Sequence, residues 1–331
     1  MPDYQDPKAL VRRCNAAIDA AHVEDVENAI LPFVAPDLLW RGMHPFQECV
    51  GAAAVADVFW RPLKDAFGPL QRRPDVFFAG RNELDGFTSV WVVEMGHLMG
   101  TWEQPWIGLT PSRKLAFLRF CEFHRVEDGK IVETACYVDI LNLLAQSGRH
   151  PSSGTTGTVV LTPGPATHDG LLYEPHPEAE GRASVQLITD MVTDLRANKV
   201  GSPADHMKRF WAPDMCWFGP GGIGASAFFE GYRQGHSGPF EDRLEYVRHT
   251  EHVTRLGEGN YGGFFGYPSL TVRSTGGFLG LTDSETEADM RIVDLYRRDG
   301  DKLAENWIFI DIPYFLHTHG VDILAELGAG T

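Results

Sequence analysis

The sequence predicts an α+β protein built twice over, each half a group of helices followed by a curved antiparallel sheet that wraps them. Three observations lead there. The first is a repeat: Phe33–Trp40 (FVAPDLLW) returns as Phe210–Trp217 (FWAPDMCW), an offset of 177 residues, and Glu122–Glu133 returns as Asp294–Glu305, an offset of 172. Two motifs in the same order imply two similarly folded units. The second is that helical spacing precedes β patterning in each half. The third is the pair Asp128-Gly129 and Asp299-Gly300, which stand where tight turns would join the last two strands of each half.

Each element has its own signal. Leu10, Cys14, Ala17, Ile18 and Ala21 recur at helical spacing, as do Ile188, Met191, Val192 and Leu195 in the copy. A second helix is expected over 24–31, before Pro32 and Pro36, with its counterpart over 203–210. A third is expected over 52–63, closing at Pro62, followed by β runs at 76–79, 89–100, 115–125 and 131–140. With Asp128 and Gly129 as the turn, His124 falls opposite Glu133 and Glu122 opposite Ala135. Period two then places Glu122, His124, Glu133, Ala135, Tyr137 and Asp139 on one face, and Asp294, Tyr296, Glu305, Trp307, Phe309 and Asp311 on the matching face of the copy. The expected domains are 1–148 and 182–331, packed sheet to sheet. The Gly- and Pro-rich linker, 149–181, is long for a structureless connection, and its apolar runs 159–161 and 171–173 can dock it as a strap.

Composition excludes several functions. The net charge is −16 and the 29 basic residues are scattered, so nucleic acid is not an expected partner. No apolar run is long enough to span a bilayer, and the N-terminus lacks the order of a signal peptide, so a cytoplasmic protein is expected. The five cysteines contain no C-x-x-C and indicate neither a disulfide framework nor a zinc site. Gly219–Gly224 satisfies G-x-G-x-x-G, yet the aligned first-half segment 42–47 lacks these glycines and no strand–helix–strand alternation follows. His317-Thr318-His319 and His249–His252 lack residues to complete a coordination shell. Neither metal nor cofactor is expected.

The leading candidates for chemistry are Asp139 and Asp311, each closing the last strand of its half within an apolar run. Desolvation raises the pKa of such a carboxyl toward neutrality, which suits a general base. The same position also suits a helix cap. His124 can relay a proton on the same predicted face with Glu122 orienting it, where the copy has Tyr296 and Asp294. His44 stands in a loop whose counterpart is Gly221, an asymmetry that points to activity kept by the first half. Trp40, Trp60, Tyr137, Tyr296 and Trp307 can wall a pocket for a flat apolar ligand, or fill the core.

The segments Trp40…His44-Pro45-Phe46…Gly51, Phe59-Trp60-Arg61-Pro62-Leu63, Trp106–Pro111 and Phe123–Glu133, with their later repeat over 278–311, resemble the SnoaL-like polyketide cyclase (ester cyclase) family. The resemblance implies two tandem cone-shaped α+β barrels of the nuclear transport factor 2-like fold. It further implies cyclisation of a carbonyl-containing substrate by intramolecular aldol chemistry without metal or cofactor. The general base would be an aspartate of the last strand, here Asp139 with Asp311 as its copy, and the assisting histidine would be His124. The family's Trp after the hairpin Glu is kept as Trp307 and replaced by Ala135, which implies a wider first pocket. This fold also hosts isomerases, hydrolases, lyases and binding proteins without activity, and a homodimer stays open.

Overall fold

The computed structural model describes residues 4–197 and 204–328. The first half runs α1 (Gln5–Ala20), α2 (Val26–Ile30), β1 (Val34–Gly42), β2 (Glu48–Val50), α3 (Ala52–Val55), a π-helical turn (Ala56–Trp60) and α4 (Arg61–Ala66). Strands β3 (Gln71–Arg81), β4 (Val90–Thr101), β5 (Leu115–Glu127) and β6 (Lys130–Val138) follow, and α5 (Ile140–Ala145) closes it. The second half repeats the order: α6 (Glu178–Ala197), α7 (Ala204–Phe210), β7 (Trp211–Phe218), β8 (Ala225–Ala227), α8 (Phe228–Tyr232), a π-helical turn (Arg233–Ser237) and α9 (Gly238–Arg243). Then come β9 (Leu244–His249), β10 (Thr254–Glu258), β11 (Tyr261–Ser274), β12 (Ala288–Asp299), β13 (Lys302–Ile310), α10 (Ile312–Thr318) and α11 (Ile323–Gly328). The helix expected over 203–210 begins at Ala204, and Pro203 lies outside the described residues. The helical run expected to close at Pro62 continues to Ala66, because Pro62 occupies the first turn of α4, where its missing N–H does no harm.

Each half holds one open sheet. The first is ordered β2-β1-β6-β5-β4-β3, the second β8-β7-β13-β12-β11-β10, with β9 also paired to β11. The sheets are mixed rather than antiparallel throughout, since β1 runs parallel to β6 and β7 parallel to β13. A parallel neighbour needs a long crossover, and the helices and strands between β1 and β6 supply one. One strand differs between halves. β3 is continuous along β4, while its copy is broken into β9 and β10 on either side of residues 250–253.

Each sheet buries one face against its own helices and the other against the opposite sheet. Trp91, Phe123, Ala135 and Tyr137 of the first sheet share a buried cluster with Phe265, Val293, Leu295, Trp307 and Phe309 of the second. The Tyr137 hydroxyl donates to the Gly266 carbonyl at 3.0 Å. The connecting segment lies along both halves through backbone bonds: Leu171 pairs in parallel with Phe77, and Thr158 pairs antiparallel with Ala225. Leu172 is buried, whereas Val159, Leu161 and Leu171 stay exposed, so main-chain hydrogen bonds rather than those apolar side chains dock most of it.

Candidate functional site

A single inserted residue in each last hairpin decides which side chains face which interior. Glu127 pairs with Lys130 and Val126 with Ile131, but Arg125 then pairs with Glu133 and His124 with Thr134. The copy repeats the slip: Arg298 pairs with Leu303, then Arg297 with Glu305 and Tyr296 with Asn306. Such a bulge turns every later side chain to the opposite face. The face predicted to hold Glu122, His124, Glu133, Ala135 and Tyr137 together is therefore split. Glu122 and His124 look into the helix-lined interior with Thr134 and Cys136, while Ala135 and Tyr137 enter the inter-sheet cluster. Glu133 turns outward to pair with Arg41, its Oε1 accepting from Nε at 2.9 Å. Trp307 likewise leaves the pocket, donating from Nε1 to the Pro163 carbonyl at 2.9 Å. Ala135 in place of a Trp therefore does not widen the first interior.

Asp139 and Asp311 occupy equivalent places, and both act as clamps between the halves. Asp139 caps α5 by accepting from Asn142 N at 3.0 Å, and it also accepts from Gly221 N of the second half at 3.0 Å. Asp311 caps α10 by accepting from Tyr314 N at 3.1 Å, and it accepts from His44 N of the first half at 2.9 Å. The copies Arg119 and Arg291 stand beside them at 3.6 and 3.4 Å. His44 and Gly221 are themselves counterparts, so the arrangement is a reciprocal, two-fold-like exchange of backbone N–H groups. Gly221 has to be glycine here, because a Cβ would lie 2.2 Å from Asn142 N. Burial raises both carboxyls, that of Asp311 to about 7, against the lowering effect of these donors. Neither is among the residues lining the two helix-lined interior cavities. The His44 ring stacks on His317 at 4.7 Å in the same contact, and burial followed by that neighbour lowers its pKa.

The first interior is filled by charge. Arg72, from β3, meets Glu94 and Glu122 at 3.1 Å each and Asp19 at 3.3 Å. Its guanidinium lies over the rings of Trp60 and Phe120 at 5.4 and 5.1 Å. Although burial opposes the charge, the three carboxylates raise the Arg72 pKa. Burial raises Glu94 to about 7, and Asn15 donates to it at 2.5 Å. Trp40, Trp60, Glu122 and His124 all border what space is left, a cavity of about 30 Å³, on the order of one water molecule. His124 meets Thr134 Oγ1 at 3.0 Å, and burial lowers its pKa, so the ring is held neutral.

The second interior keeps a cavity of about 120 Å³. Its aromatic wall includes Trp211, Trp217, Tyr232, Phe240 and Phe264, and its polar groups include Asp294, Tyr296, Asn306 and His236. Corresponding positions explain the contrast. Asp294 stands for Glu122, but sheet register puts Phe264 where Glu94 stands and the exposed His249 where Arg72 stands. Asp294 is thus a buried carboxyl with no ion-pair partner among the described residues. Burial pushes its pKa up to about 7, against the lowering effect of hydrogen bonds from Asn306 and Tyr296. Asn306 Nδ2 donates at 2.9 Å and is itself held by the Leu295 carbonyl at 3.0 Å. His236 stacks on Trp217 at 4.0 Å, and burial lowers its pKa to about 3, so the imidazole is neutral.

Of the side chains named in the sequence, Asp294 and Tyr296 reach this cavity, and Trp40, Trp60, Glu122 and His124 border the closed one. Asp139, Asp311, His44, Tyr137 and Trp307 lie between the halves. The sequence reading missed His236, Tyr232, Asn306 and Arg72. The repeat could have exposed three of them, since the 177-residue offset puts His236 and Tyr232 over Phe59 and Val55, and the 172-residue offset puts Asn306 over Thr134.

Residues 11–134 match the SnoaL-like domain family. Among solved structures, AclR, a candidate hydroxylase from Streptomyces galilaeus, is 21% identical, covering 45% of this chain and 100% of its own, with a TM-score of 0.37. A candidate SnoaL-like polyketide cyclase from Jannaschia sp. CCS1 is 17% identical over 44% of this chain and 93% of its own, at a TM-score of 0.35. An NTF2-like protein from Burkholderia thailandensis E264 is 23% identical over 43% and 96%, at 0.32. No curated protein matches the sequence. No helix among the described residues is long and apolar enough to cross a membrane.

Proposed function

With residues 11–134 a SnoaL-like domain, we propose that this chain is a cofactor-independent acid–base enzyme whose working cavity lies in its second half. Residues 1–148 and 182–331 are its two domains, and 149–181 is the strap between them, its last residues forming the first turn of α6. The observation that carries this reading is Asp294: a carboxyl raised to about 7 on the wall of a largely apolar cavity, with no ion-pair partner among the described residues, the cavity's Arg196 being engaged by Glu251 and the Thr250 carbonyl instead. A carboxyl of that pKa can take a proton from carbon beside a carbonyl near neutral pH and return it elsewhere on the same molecule. Tyr232 and the neutral His236 border the cavity and can donate to the enolate oxygen that forms. Ring closure by aldol addition and isomerisation both start from that enolate. Asp139 and Asp311 serve here as clamps; as bases they would first have to release the backbone donors they hold.

Deuterium uptake from D₂O into 4-hydroxyacetophenone, followed by mass spectrometry, tests this. Asp294→Asn should reduce uptake at least a hundredfold, and Asp139→Asn should leave uptake per folded molecule within a few-fold. Loss in Asp139→Asn with retention in Asp294→Asn would return the base to the last strand. A second reading, a binding protein without turnover, is favoured by the first interior, where the equivalent space is closed by Arg72. No uptake on any ketone that binds would establish it.

A further inference from the structure

Two residues that line the second cavity each carry a buried polar atom without a hydrogen-bond partner among the described residues. His236, on the π-helical turn after α8, is 7% exposed, and its Nδ1 meets no donor or acceptor. Ser269, at the bulge of β11, is 4% exposed, and its Oγ is likewise unpaired. Both line the cavity, one from the helical layer and one from the sheet. A buried polar group left unpaired is costly, so two bordering one cavity mark hydrogen bonds that an occupant supplies. The first half underlines the point at His236: its counterpart is the apolar Phe59, which packs on Trp40 and Phe46 and needs nothing. Asp294 and Asn306 form a separate polar group, bonded to each other. A cavity of about 120 Å³ is close to the size that admits one benzene-sized ring, and the two residues hold it from different layers.

We propose that the ligand of this cavity is a single-ring molecule with oxygen functions at two separated positions, one read by His236 and the other by Ser269, both acting as binding and specificity residues. The inference rests on the proposed site but not on turnover there. The neutral imidazole and the hydroxyl each donate or accept, so a phenol or enol hydroxyl and a ketone oxygen satisfy them equally.

Binding of 4-hydroxyacetophenone, acetophenone and ethylbenzene is to be measured by calorimetry on wild type, His236→Phe and Ser269→Ala, with circular dichroism as the folding check. His236→Phe imports the residue that fills the equivalent place in the first half. Each substitution should weaken 4-hydroxyacetophenone about tenfold, leave ethylbenzene unchanged, and reduce the acetophenone affinity in only one of the two variants. Equal effects on all three probes, or none on the oxygenated ones, would overturn the assignment. Asp294→Asn separates the two ideas: it should abolish exchange while the three-probe pattern persists. Exchange absent in wild type with the pattern intact defeats the enzymatic reading alone.

Discussion

The two interiors of this protein start from one plan and end in opposite states. In the first, a carboxylate on the fifth strand, Glu122, is neutralised by Arg72 and joined by Glu94, and what remains is about 30 Å³. In the second, the equivalent Asp294 keeps its burial, loses both neighbours to Phe264 and His249, and faces about 120 Å³. The lesson is that a buried carboxyl becomes a reagent or a strut according to whether a cation pairs with it. An ion pair consumes the carboxylate's accepting capacity and fills the volume a ligand would need. An unpaired carboxyl keeps both at a cost in stability, a common trade at functional sites.

Substitution of Arg72 should break the comparison most severely. Arg72→Met leaves Glu94 and Glu122 facing each other without a counter-charge, so about 3–5 kcal/mol of stability should be lost, read from urea denaturation. A loss below about 1 kcal/mol would mean that the first interior is not held by this cluster. Asp139→Asn, which weakens one clamp and leaves Arg119 underpaired, should cost about 1–3 kcal/mol in the same assay. Asp311→Asn should behave alike, because its partners are the two-fold counterparts.

The most discriminating effect concerns pH. The folded-state pKa of Asp294 is raised above the usual carboxylate value, so folding favours the protonated form. The associated stability is present at low pH and lost as pH rises through about 7. Asp294→Asn lacks this contribution while keeping those of Glu94 and Asp311. Its Tm should exceed that of wild type by several degrees at pH 8, and the gap should narrow as pH falls below about 7 and close only below about pH 4, the unfolded-state range of an aspartate. A variant less stable than wild type at pH 8 would show that Asn306 and Tyr296 outweigh the burial cost of the charge.

Much of this fold was legible in the sequence, because duplication, helical spacing and Asp-Gly turns are local signals. Asp139 and Asp311 were legible as special, and the cap reading of them agrees with where the structure puts them; their second duty, gripping Gly221 and His44, depends on the packing of the halves. The faces of the last strands were not legible. The bulges fall at Val132 and Ala304, neither a glycine, and a one-residue slip sends Trp307 and Tyr137 into the inter-sheet cluster and brings Asn306 to the cavity. Nor could the sequence show that Arg72 closes the first interior, since Glu94 and Glu122 lie 22 and 50 residues away along the chain.

The central claim is that Asp294 is an unpaired, near-neutral carboxyl exposed to ligand. The most direct measurement is a ¹³C carboxyl NMR titration of aspartate-labelled protein, with Asp294→Asn and Asp311→Asn for assignment, with and without 4-hydroxyacetophenone. Two aspartates should titrate near pH 7, and only the resonance lost in Asp294→Asn should move when the ketone binds. A midpoint for Asp294 below pH 5, or a ligand response confined to Asp311, would contradict the account and place the chemistry between the halves.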